Sequence, residues 1–198
     1  MIKIQKYAAV DIGSNAVRLL ISSVISQDNN IVEVKKISLV RVPIRLGLDG
    51  FLNNKIQKDN IIRLNDAMKA FKLLMKIHSV TKYKICATSA MREATNSLAV
   101  INEIYSKTGL KIDVISGKDE ASLIADTFFA NHFNFDHTYL FIDIGGGSTE
   151  LSIIFNGVII ASKSFKIGTI RFLNDLVKKK TLNEYKKWIK INTKEFNN

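Results

Sequence analysis

The chain of 198 residues carries 29 Lys and Arg against 18 Asp and Glu, a formal net charge of +11, with 46% hydrophobic residues. Ten glycines and one proline exclude collagen-like and linker-dominated chains, and the single cysteine, Cys86, excludes both an intrachain disulfide and a thiolate metal centre. The length is that of roughly one to two domains of about 150 residues, enough for a core that needs no covalent staples.

In chain order, the first predicted strand runs from Tyr7 to Ile12 and ends in Asp11-Ile12-Gly13-Ser14-Asn15. A second, Ala16 to Ile25, reaches the polar turn Gln27-Asp28-Asn29-Asn30, and a third covers Ile31 to Val42. Hairpins joined by Asp/Asn turns are the natural reading. Leu46 to Asn54, rich in Gly and Asn, reads as a loop. Ile61, Leu64, Met68, Phe71 and Met75 recur at steps of three and four, which predicts an amphipathic helix with Asp59 as its N-cap. A buried strand is expected over Lys84 to Thr88, a helix around Leu98 to Tyr105, and a strand over Lys111 to Ile115. Ser116-Gly117-Lys118-Asp119 has the form of a capping box opening a helix through Phe129. This βββαβαβα order implies an α/β lobe with a mixed sheet.

The pattern then restarts. An apolar strand, Thr138 to Ile142, enters Asp143-Ile144-Gly145-Gly146-Gly147-Ser148-Thr149, and a hairpin of Glu150 to Phe155 and Val158 to Phe165 turns at Asn156-Gly157. Helices are expected from Ile170 to Val177 and from Leu182 to Ile191. Asp143 lies 132 residues after Asp11, and both stretches read as strand, Asp-Ile-Gly turn, strand, turn, strand. Two copies of one lobe are therefore expected, residues 1–133 and 134–198, the second incomplete because the first copy's later βα units have no counterpart.

A strand that ends in Asp-x-Gly and doubles back exposes consecutive backbone N–H groups at the bend. Glycine lets an anion approach without a Cβ in the way, adjacent N–H groups form an anion nest, and Ser or Thr hydroxyls add donors. The phosphate-contacting candidates are thus Asp11, Gly13, Ser14 and Asn15 in the first turn and Gly145, Gly146, Gly147, Ser148 and Thr149 in the second. Neither matches the P-loop or the dinucleotide fingerprint, because both open hairpins rather than helices.

AAVDIGSNAVRLLI (8–21), ATSAMREATN (87–96), ISGKDEASLI (115–124), FIDIGGGSTEL (141–151) and IGTIRF (167–172) together resemble the exopolyphosphatase/guanosine-pentaphosphate phosphohydrolase family. This family is part of the actin/sugar-kinase/chaperone ATPase superfamily. The resemblance implies two ribonuclease-H-like (actin/hexokinase-type) lobes with phosphates in the cleft between the two turns. It also implies Glu120 as the general base for water, Arg92 as a phosphate clamp, and Mg²⁺ or another divalent cation at Asp143 and Glu150.

From the residues alone, other roles stay open. Glu120 reads first as an acid placed at the positive end of a helix dipole, and Arg92 as a partner for Glu93 or a helix end. Arg18 divides evenly between a phosphate ligand and a structural ion pair, and Thr169 is an N-cap or a phosphate donor. His78, His132 and His137 lack ligand spacing, and Trp188 reads as core-facing.

The expected activity is removal of terminal phosphate from inorganic polyphosphate or guanosine pentaphosphate by in-line attack of water. The rivals are an ATP-dependent small-molecule kinase of the same superfamily and a non-catalytic nucleotide- or polyphosphate-binding module or fragment. Lys makes up 23 of the 29 basic residues, beside 28 Ile and 17 Asn, which fits the coding bias of an AT-rich genome as well as a tuned field. Without Arg-rich stripes, stacking aromatics or zinc spacings, no nucleic-acid partner is expected. No apolar run approaches the roughly 20 residues of a membrane helix, so a cytoplasmic protein without a membrane partner is expected. A homodimer is left open.

Overall fold

The computed structural model describes residues 1–28, 30–129 and 137–194, with only the main chain over 124–129. Asn29 of the first hairpin turn, His132 and the expected lobe boundary at 133/134 lie outside the described residues. The chain forms two compact units, Met1–Val114 and Ile115–Asn198. No helix among the described residues is long and apolar enough to cross a membrane.

In the first unit, β1 (Ile2–Ile12), β2 (Val17–Gln27) and β3 (Asn30–Val42) form an antiparallel meander, and β4 (Lys82–Ala87) and β5 (Asp113–Val114) add on in parallel. The sheet order is β3-β2-β1-β4-β5, the mixed sheet expected. Alternation puts Val10, Ile12, Leu19 and Ile21 inside. The helices α1 (Leu46–Leu52), α2 (Lys58–Ile77), α3 (Ser89–Glu93) and α4 (Ser97–Thr108) follow in the chain. The predicted α2 stripe is confirmed at Leu64, Met68, Phe71 and Met75, all buried, each removal from water contributing about 1.5–3 kcal/mol.

Several local expectations are corrected. Leu46–Leu52 is a helix rather than a loop, because Leu46 and Phe51 bury their side chains and Gly50 lets α1 pack on α3. A Cβ on Gly50 would sit 2.8 Å from the Ala90 carbonyl oxygen. The N-cap of α2 is Gln57, not Asp59. The buried Asp49 carboxylate reaches across from α1 instead, accepting from the Gln57 N–H at 3.0 Å and the Asn60 amide at 2.8 Å. Of the strand expected over 111–115, only Asp113 and Val114 pair.

The second unit holds α5 (Gly117–Phe129), the antiparallel strands β6 (Tyr139–Ile144), β7 (Thr149–Phe155) and β8 (Val158–Phe165), then α6 (Thr169–Leu173) and α7 (Lys179–Asn192). Asn156 and Gly157 both have positive φ, 48° and 74°, as the two-residue hairpin signal requires. α5 packs on β7 and β8, so this helix, which the sequence assigned to the first lobe, belongs by contact with the second unit. The buried Phe165 meets Tyr185 and Trp188 of α7 edge to face at 5.3 and 6.2 Å, so Trp188 packs on β8 while only half-buried. Helix α6 ends at Leu173, four residues short of expectation. The sheet order is β6-β7-β8, and Leu140, Ile142 and Ile144 of β6 are exposed.

Candidate phosphate-binding turns

In the first unit the chain leaves β1 at Ile12 and re-enters the sheet at Val17, its register partner. The turn between them is closed by the Gly13 N–H donating to the Ala16 carbonyl at 3.1 Å. Main-chain donors at the start of α1 hold it from behind. Gly47 N–H donates to Ser14 O at 2.7 Å and Arg45 N–H to Asn15 O at 2.9 Å. The buried Ser14 hydroxyl shares a hydrogen bond of 2.8 Å with Ser89 of α3, and Thr88 N–H donates to Ile12 O at 3.2 Å. These bonds fasten the TSAMREA segment to the turn and set Arg92, half-buried, on the last turn of α3. Asp11 and Arg18 are cross-strand partners, and the Arg18 guanidinium stands 3.7 Å from the Asp11 carboxylate, the ion-pair alternative for Arg18.

The second turn repeats this closure. Gly145 N–H donates to Ser148 O at 2.9 Å, between the register partners Ile144 and Thr149. Three successive carbonyls are then taken up by three successive residues of α6. Thr169 N–H donates to Gly145 O at 3.0 Å, Ile170 N–H to Gly146 O at 2.9 Å, and the Arg171 Nε to Gly147 O at 2.6 Å. In a planar trans peptide the C=O of one residue and the N–H of the next point in opposite directions. With the carbonyls of Gly145, Gly146 and Gly147 aimed at α6, the N–H groups of Gly146, Gly147 and Ser148 aim the other way, side by side. Donors turned to the side away from the helix are what an anion nest requires. Gly168 makes the close approach possible, since a Cβ there would fall 2.5 Å from the Gly146–Gly147 peptide.

Beyond the Gly13 and Gly145 N–H groups that close their own turns, two more expected phosphate donors are committed elsewhere. The buried Thr149 hydroxyl donates to Ile167 O at 2.6 Å, and the Thr169 N–H is spent on the turn, with its hydroxyl 3.5 Å from the same Gly145 oxygen. Asp143 and Glu150 are direct cross-strand partners on one sheet face. Glu150 is 2% exposed and accepts from the Ser164 hydroxyl at 2.7 Å. Like charges placed directly opposite are unfavourable unless a cation lies between them, and one or two carboxylates with water and phosphate oxygens are what Mg²⁺ takes. The pair fits such an ion. Among the described residues no group of three or more His, Cys, Asp or Glu forms a metal cage.

The capping box of α5 is present as read. Ser116 Oγ accepts from Asp119 N–H at 3.1 Å, while the Asp119 carboxylate accepts from the Ser116 N–H at 3.3 Å and hydroxyl at 2.7 Å. The cap occupies Asp119, and Glu120 is the neighbouring acid, half-buried, on the helix that packs on β7 and β8. Arg171 was not singled out by sequence reasoning. Its signal was available in IGTIRF, an arginine three residues after a glycine that follows a strand.

A model of the Ppx/GppA phosphatase family matches residues 24–192. The bifunctional 3-dehydroquinate synthase/phosphatase of Fusobacterium nucleatum is 32% identical over 95% of this chain and 30% of its own length. The guanosine-5'-triphosphate,3'-diphosphate pyrophosphatase of Vibrio parahaemolyticus is 30% identical over 89% of this chain and 34% of its own. Among solved structures, an exopolyphosphatase from Cytophaga hutchinsonii superposes with a TM-score of 0.78 at 29% identity, over 86% of this chain and 53% of that one. The Aquifex aeolicus Ppx/GppA family member superposes at 0.77 with 22% identity over 99% of this chain, a likeness of fold. The chain spans about a third of the length of these curated relatives. With the family model matched along most of the sequence and both glycine turns formed, the chain belongs to the Ppx/GppA phosphatase family.

Proposed function

We propose that this chain hydrolyses phosphoanhydride bonds, removing terminal phosphate from inorganic polyphosphate or guanosine pentaphosphate with a divalent cation. The observation that supports the reading is the second turn, where α6 takes up the carbonyls of Gly145, Gly146 and Gly147 beside a carboxylate pair. The N–H groups of Gly146, Gly147 and Ser148 would bind phosphate oxygens, and Asp143 with Glu150 would hold Mg²⁺. Bound there, the ion would neutralise charge developing on the leaving oxygens. Glu120, left out of the cap that takes Asp119, would orient the attacking water and accept its proton. The first turn, its Gly13 N–H spent on Ala16 O, would bind phosphate by the N–H groups of Ser14, Asn15 and Ala16, while Arg92 and Arg18 would add positive charge. The catalysis is positioning and charge stabilisation, without a covalent intermediate.

The test is phosphate release with Mg²⁺ from long-chain polyphosphate, guanosine pentaphosphate and ATP. Release from either of the first two is expected, together with a loss of about 10²–10⁴-fold in Glu120→Gln. Full activity in that variant rejects Glu120 as the base. Binding of polyphosphate with no release by the unaltered chain leaves a binding module in place of the hydrolase.

A further inference from the structure

We infer that Arg171 is a positioning residue for the second turn, setting the direction and donor strength of its N–H groups without touching the phosphate. The inference rests on the reading of that turn as a phosphate site. Arg171 is 7% exposed, a burial that a guanidinium sustains only when hydrogen-bonded. Its Nε donates to the Gly147 carbonyl at 2.6 Å, a bond from a charged donor. That carbonyl belongs to the same peptide as the Ser148 N–H. Pinning one end of the peptide fixes the other, and a cation on the oxygen draws electron density from the nitrogen, making the N–H a stronger donor.

The neighbouring contacts show why an arginine stands here. Thr169 and Ile170 hold the carbonyls of Gly145 and Gly146 with main-chain N–H groups, the first turn of α6 closing on the loop. The third carbonyl lies past the reach of that backbone ladder, and a side chain completes the row. The planar guanidinium holds its Nε–H in a fixed direction, whereas a lysine ammonium rotates freely and serves as a point charge. Three glycines in succession have little intrinsic preference for one geometry, so an outside clamp has the most to do at this point.

The test uses the whole chain, ¹⁵N-labelled, with the amide resonances followed during titration with inorganic tripolyphosphate and Mg²⁺. In the unaltered chain the amides of Gly146, Gly147 and Ser148 are expected to shift. In Arg171→Lys, which keeps the charge and about the same length, and in Arg171→Gln, the dispersed spectrum is expected to persist. The tripolyphosphate concentration needed to shift those three amides should rise about tenfold or more, while the first-turn amides of Ser14, Asn15 and Ala16 respond as before. Methylguanidinium added to Arg171→Ala should restore part of the response, which a purely structural defect would not allow. Unshifted amides in the unaltered chain reject the phosphate reading, and the inference with it. Shifting amides in the unaltered chain with equal affinity in the folded Lys variant overturn the role of Arg171 alone. If Gln or Ala unfolds the unit, the Lys variant decides.

Discussion

The two glycine turns share a backbone and differ in charge. Each is closed by a glycine N–H bonded to the carbonyl three residues on, Gly13 to Ala16 and Gly145 to Ser148, and each is held from behind by a short helix that follows the third strand. Seven residues after each aspartate, at its cross-strand partner, the copies part. The first has Arg18 opposite Asp11, and the second has Glu150 opposite Asp143. One turn carries its own counter-charge, while the other gathers two negative charges beside a row of N–H donors. The same main-chain turn thus stands beside an opposite-charge pair in one unit and beside two carboxylates in the other.

Breaking the second turn while sparing the first gives the largest effect. Gly168→Ala places a Cβ against the Gly146–Gly147 peptide and should cost the second unit about 3 kcal/mol, read as a fall in denaturation midpoint with the first unit's amide protection retained. Exchanging the divergent partners sharpens the contrast. Glu150→Gln should raise the Mg²⁺ concentration for half-maximal phosphate release by about tenfold or more, while Arg18→Gln should leave the Mg²⁺ dependence unchanged and raise KM by about tenfold. Mg²⁺ titrations at saturating polyphosphate separate the two. Ser116→Ala removes one half of the α5 capping box and should cost about 1 kcal/mol with little change in kcat, since the cap and not the chemistry uses Asp119.

The smallest effect is electrostatic. The Asp113 carboxylate, hydrogen-bonded to Lys84 at 2.6 Å, holds the lysine above its ordinary value, although both groups stand in water. A raised lysine stabilises the fold below the unfolded-state value and loses that contribution as pH climbs through the folded-state one. Lys84→Met should therefore flatten the decline in stability above about pH 10, by an amount that salt screens. Thermal melts across that range, at low and high salt, check it.

What the sequence made legible follows from how local each signal is. The Asp-Ile-Gly turns, the Asn156-Gly157 hairpin, the α2 stripe and the Ser116–Asp119 box are each written within a few residues, and all four are present. Helix α1 was missed because its glycines, Gly47 and Gly50, argue against a helix locally. One donates its N–H to the first turn, and the other admits the backbone of α3, so tertiary contact overrides propensity. Asp59 reads as an N-cap by its residue type, yet α2 starts at Lys58 with Gln57 before it. The acid that serves that junction, Asp49, comes from another helix. Arg171 escaped notice for the same reason, its partner Gly147 being distant in sequence. Thr149 and Thr169 show the converse, hydroxyl residues in a glycine turn whose protons go to the main chain.

Strand β6 carries a last consequence. Its counterpart β1 is flanked on both sides, by β2 and by the parallel β4, whereas among the described residues β6 is bordered by β7 alone. Among the described residues, Leu140, Ile142 and Ile144 alternate along β6 on one exposed apolar face of the sheet. Each chain bears a formal charge of +11, so repulsion between copies opposes association and weakens as salt is added.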